Sequence, residues 1–128
     1  MANTFVAIAT TTVGSGGAAS ITFSSIPGTY TDLLVKASVR SDQANIANSL
    51  GIQFNGSGAN FTSKFIEGSG STVSSFSTTN IIGNAQGTSS TSNTFSSVEV
   101  YIQNYTGSNN KSFSADGVKK MLVLLTQL

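Results

Sequence analysis

Two stretches of strict alternation constrain this chain most. From residue 33 to 40, Leu33, Val35, Ala37 and Val39 point one way, and Leu34, Lys36, Ser38 and Arg40 point the other. Val98, Val100 and Ile102 alternate in the same way with Glu99, Tyr101 and Gln103. A period of two places every second side chain on one face of a strand, so each stretch predicts a half-buried β-strand. Helical spacing is nearly absent. The chain holds 22 Ser, 16 Thr, 13 Gly and 11 Asn, which make 62 of 128 residues and are poor or mediocre helix formers.

Weaker signals extend the pattern. Phe5 to Ile8 reads as a first, buried strand, and Ile21 and Phe23 alternate with Thr22 and Ser24 in a short second one. Residues 26–29 form a turn around Pro27-Gly28. Leu50, Ile52 and Phe54 alternate up to Asn55-Gly56, a tight hairpin signal, with residues 61–67 as the return strand. Residues 68–75 and 83–93 read as loops, Ile81-Ile82 as a weak strand, 104–110 as a turn and 111–115 as a last weak strand. Seven or eight short strands joined by polar turns predict an all-β fold, an antiparallel β-sandwich or jelly roll. Its core is expected to hold Leu33, Val35, Val39, Ile52, Phe54, Val98, Val100 and Ile102. Partial disorder is the alternative that so polar a composition raises, and the two clean alternations argue against it.

The length of 128 residues fits one domain, divided into a β-sandwich over residues 1–118 and an apolar tail over 119–128. The N-terminus lacks a positive n-region and reads as no secretory signal. The longest apolar runs, Met121 to Leu125 and residues 5–9, are far short of a membrane span. No membrane partner is therefore expected.

Composition removes several chemistries. Without His or Cys there is no Ser-His-Asp or Cys-His machinery, no ordinary zinc, haem or iron–sulfur site, and no disulfide. Charged residues are 9% of the chain, against about 25% in a typical domain, and the net charge is +1. That balance argues against nucleic acid as a partner. Asp32, Asp42, Glu67, Glu99 and Asp116 are scattered, with no close pair of the kind that cleaves glycosides and no calcium loop. Residues 14–17 and 68–70 are Gly-rich but lack the Lys-Ser/Thr and helix of a phosphate loop. The sequons at Asn55, Asn60, Asn104 and Asn110 are what chance supplies in such a chain. The reading is of no enzyme: no catalytic residue, cofactor or metal ligand is assigned.

Tyr30, Tyr101 and Tyr105 are the candidate interface residues, joined by Leu122, Leu124 and Leu125 of the tail. A tyrosine ring covers area at low entropic cost and suits a protein interface. Beside Asn and Asp it also suits a sugar. The plain alternative is that Tyr101 lies on the outer face of its strand while Tyr30 and Tyr105 close the ends of the sandwich.

Several segments, in order, carry a resemblance. They are residues 25–35 (Ser-Ile-Pro-Gly-Thr-Tyr-Thr-Asp-Leu-Leu-Val), Arg40-Ser41-Asp42, Ile52-Gln53-Phe54-Asn55-Gly56, Tyr101-Ile102-Gln103-Asn104-Tyr105 and Ser108-Asn109-Asn110-Lys111. Over residues 4–118 the chain resembles a family of small virion structural proteins of tailed bacteriophages, common among marine cyanophages. The resemblance implies a β-sandwich on the phage particle with no catalytic residue. With no coiled-coil heptad or collagen-like repeat of a fibre shaft, the reading is of a capsid decoration or knob protein on the outer head surface, partnered by the major capsid protein or other virion proteins and by copies of itself. A tail-fibre or receptor-binding module that takes a host surface glycan is the alternative. Relatives continue past the position of Val118 into further polar strands, whereas this chain turns apolar. The tail is then either a truncated or recombined end, or a strand or helix that docks on a neighbouring subunit.

Overall fold

The computed structural model describes residues 5–119. The apolar tail, with Leu122, Leu124 and Leu125, lies outside the described residues. Among them there is no helix. The strands are β1 (Leu33–Val39), β2 (Ala47–Gly51), β3 (Ser63–Ser69), β4 (Thr72–Thr78), β5 (Ile81–Gln86), β6 (Ser96–Ile102) and β7 (Phe113–Val118). The chain is all-β, and every strand ladder is antiparallel. A three-stranded sheet runs β1-β6-β7, and β2-β5 and β3-β4 form two-stranded sheets. One parallel bridge, Arg40 to Gln86, ties the end of β1 to β5.

The two alternating stretches become the partners β1 and β6. Leu33 faces Ile102, Val35 faces Val100 and Ala37 faces Val98. Their shared face is the core: Val98, Val100 and Ile102 are buried with Ile82, and Val100 is only 1% exposed. β5 lies across this sheet at close range, since a Cβ on Gly83 would sit 3.3 Å from Val98 Cγ2. Leu33, Val35, Leu50, Ile52, Phe54, Tyr105 and Phe113 pack around the centre. Of the expected core, Val98, Val100 and Ile102 are buried, Leu33, Val35, Ile52 and Phe54 are half-buried against them, and Val39 is half-buried outside the cluster. Ile82 and Phe113 were not foreseen.

The Asn55-Gly56 turn forms as expected. Both residues have positive φ, 53° and 74°, the requirement of a two-residue hairpin turn. Phe54 and Ser57 exchange backbone hydrogen bonds across it, at 3.2 and 3.0 Å. The return strand differs from the expectation. The hairpin ends at that bridge, Asn60 takes a left-handed φ of 64°, and the chain is redirected. β2 pairs with β5, and β3 pairs with β4. Packing explains the change: Phe54 and Phe61 stack at 5.6 Å, and Phe113 meets both edge-on at 6.0 and 6.3 Å. These rings close one end of the core.

Residues 68–75, expected to be a loop, form a tight turn flanked by strand. Gly70 (φ 61°) occupies the first central position, and β4 begins at Thr72. Phe65 opposite Phe76 gives this hairpin an aromatic cross-strand contact, with centroids 5.2 Å apart. β5 likewise extends through Gln86 into the expected polar loop.

The largest correction is N-terminal. No strand forms between residues 5 and 32. Phe5 is 71% exposed, and Val6, Ile8, Val13, Ile21, Phe23 and Ile26 are exposed as well. Their alternation is strand-like, but within this one chain nothing pairs with them, so the period produces neither ladder nor burial.

Candidate functional site

The sites this fold offers are a tyrosine-bearing end and a groove. At the first, the turn leading into β1 meets the loop leaving β6. Tyr101 donates its hydroxyl to Asp32 Oδ2 at 2.5 Å, and the Asn104 N–H donates to Asp32 Oδ1 at 2.8 Å. Both bonds favour the ionised carboxylate. The Tyr101 hydroxyl first and the Asn104 N–H second hold Asp32 below its ordinary value of 3.8. The same bond to Asp32, with desolvation and the carboxylate's charge adding to it, pushes the Tyr101 phenol above 10.0. Tyr105 donates its hydroxyl to the Pro27 carbonyl. Lys111 fastens the following loop, donating to the carbonyls of Gly107 and, at 2.5 Å, Asn109.

The three tyrosines therefore fall at one end of the β1–β6 pair but do different things. Tyr101, on the outer face of β6, and Tyr105 spend their hydroxyls on acceptors within the chain and bind two chain segments together, and Tyr105 also packs against the core. Tyr30, 37% exposed, stands on the turn between those ties. It is the most exposed of the three tyrosines.

The ladder also makes a pairing that linear spacing hides. Glu99 stands opposite both Lys36 on β1 and Asp116 on β7. Lys36 Nζ is 3.0 Å from Glu99 Oε2, with both side chains largely in solvent. The two carboxylates thus share the outer face of the sheet with an ammonium between strands. Among the described residues, no group of three or more His, Cys, Asp or Glu could hold a metal ion, and no helix is long and apolar enough to cross a membrane.

The groove runs between β3 and β7, with β5 as its floor. It has two adjoining lobes of about 320 and 510 Å³ that share Lys64, Phe65, Ile82 and Ala115. At one end of β3, Asn84 of β5 donates to Glu67 Oε2 at 3.3 Å and fixes the wall to the floor. Sequence reading missed this feature, because it depends on β3 turning away from β2. No family model, curated protein or solved structure matches the chain.

Proposed function

We propose that this chain is a non-enzymatic structural subunit of a phage particle, a decoration or knob protein on the outer surface of the head. Copies of itself and the major capsid protein are its partners. One observation carries the assembling part of this reading. The chain exposes 9918 Å², against about 6,400 Å² for a compact monomer of its 13.1 kDa. Counting the thirteen undescribed residues at the full area of an unfolded chain removes about 2,000 Å² and still leaves about 1,500 Å² in excess. Permanent interfaces bury about 1,000 Å² or more on each partner, so the excess matches a surface that association covers. The exposed apolar residues between 5 and 26 supply much of it. The phage setting is supported by the ordered resemblance in residues 4–118.

With only 9% charged residues, attachment depends on apolar and hydrogen-bonded contacts, with Tyr30 as an anchor. The test is antibody labelling of particles viewed in negative stain, with salt washes of the same particles. Label on the head, retained at about 1 M salt where the Debye length is about 3 Å, is the expected result. Label on the tail, together with glycan-array binding, would replace this reading with the receptor-binding one. Release at high salt would transfer attachment to Lys36, Arg40, Lys64 or the Lys119-Lys120 pair.

A further inference from the structure

β7 is an outer strand of its sheet, and no described strand pairs with its second edge. Across the groove stands β3, whose ladder partner is β4. In one lobe residues 62–65 stand opposite 111–115, and in the other 64–68 stand opposite 115–119. β3 and β7 therefore run in the same direction along the groove. A segment laid antiparallel to β7 would continue the sheet and satisfy the free backbone groups of that edge.

The N-terminal arm contains a segment of the right kind. In residues 18–24, Ala19, Ile21 and Phe23 fall on one face and Ser20, Thr22 and Ser24 on the other. Its seven residues match the lengths of β3 and β7, at seven and six. Ile21 and Phe23 are 44% and 40% exposed, although the groove offers apolar lining from all three strands, Phe65 of β3, Ile82 of β5 and Ala115 of β7. None of the groove's lining residues belongs to the arm. The Tyr105–Pro27 bond holds the root of the arm at the opposite end of β6 from the β5 crossing, so the arm leaves the body there.

The geometry points to strand exchange between copies: residues 18–24 of one chain add to the free edge of β7 in a second copy, with Ile21 and Phe23 filling the groove beside β3. This rests on the reading of the chain as an assembling subunit, but not on its place in a phage. Main-chain pairing supplies affinity in such an addition, and the alternating side chains supply register. The area argues for a second copy, because the excess exposure of each chain is the amount that each partner of a permanent interface buries.

The chain has no cysteine, which makes the test clean. Chains carrying Ser20→Cys and differently tagged chains carrying Ser114→Cys are co-expressed and treated with a short bismaleimide. The expected product joins one tag to the other. A single chain carrying both substitutions that cross-links only within itself would place the arm in its own groove and overturn the proposal. Sedimentation equilibrium gives the second measurement. The unmodified protein should be a multimer, and both Ile21→Asp/Phe23→Asp and Thr22→Pro should be monomers whose far-UV circular dichroism loses no more than the seven-residue exchanged strand supplies. A multimer that survives both arm substitutions overturns strand exchange while leaving the assembly reading intact. A multimer lost only on removal of residues 120–128 assigns the groove to the C-terminal segment instead. A monomeric unmodified protein overturns the exchange outright, and particle labelling then decides the assembly reading.

Discussion

Replacing Gly87 with alanine tests how the second sheet is closed. Gly87 is buried just after β5, and its N–H donates to the Ile46 carbonyl at 3.0 Å. A Cβ there would sit 2.0 Å from the Asn45 carbonyl oxygen, 2.8 Å from its carbon and 2.9 Å from Asn48 Nδ2. Real Cβ contacts essentially never fall below 3.0 Å, so the Asn45 backbone must retreat by about 1 Å. That carbonyl also accepts the Ser89 N–H at 3.3 Å, so the retreat strains that bond and the Gly87–Ile46 bond together. Overpacking of this kind costs about 1–3 kcal/mol and each weakened bond about 1 kcal/mol, which gives a loss of about 3 kcal/mol. At an unfolding entropy of about 2.1 cal/mol/K per residue, the midpoint should fall by about 11 °C. Calorimetry at matched protein concentration measures it. Gly16→Ala is the control, because nothing lies within 4 Å of that position and its φ is not left-handed. A Gly87→Ala protein that melts within about 2 °C of the unmodified chain would refute the reasoning.

Val100→Asp should prevent cooperative folding, since it places an unpaired charge at a position 1% exposed; a sharp thermal transition in soluble protein would contradict the core assignment. Arg40 donates to the carbonyls of Ser90, Thr91 and Thr94 and to Thr94 Oγ1, so Arg40→Ala should cost about 2 kcal/mol in urea unfolding, and Arg40→Lys, which lacks the planar fork, should not restore it. Asp32→Asn should lower stability at neutral pH. The folded carboxyl lies below 3.8, so its contribution is complete above 3.8 and disappears as pH falls through the lower folded value. The urea midpoints of the two proteins should therefore converge in acid. At the other limit, the Tyr101 phenol is raised above 10.0, so Tyr101→Phe should differ from the parent below pH 10.0 and approach it as pH rises past the folded value.

The sequence made legible those elements whose own alternation coincided with a partner's. β1 and β6 could be read from residues 33–40 and 98–103 because both strands bury one face against the same core. The Asn55-Gly56 turn was equally readable, since its chemistry is local. Strand partners were not. The choice of β4 over β2 as the mate of β3 depends on Phe61 leaving the hairpin to join Phe54 and Phe113, a contact spanning more than fifty residues. Alternation in the arm was real but gave no strand, because a period needs a partner edge as well as a pattern. Tyr101 and Tyr105 were visible as candidates, but their internal acceptors, Asp32 and Pro27, become neighbours only after β1 and β6 have paired. The groove, built from three strands far apart in the chain, left no local mark.

The pairing of β1 with β6 also sets a clock on synthesis. Leu33 must wait for Ile102, and Val39 for Ser96, before the central ladder can close. Ribosomes add about 5–20 residues per second, so β1 remains without its mate for roughly 3–14 s in each round of translation. During that interval Leu33, Leu34 and Val35 have only transient shelter, and nascent chains on one message sit close together. Few charges keep them apart. The yield of folded subunits should therefore respond to translation rate and to chaperones that hold extended apolar segments more than to the stability of the finished fold.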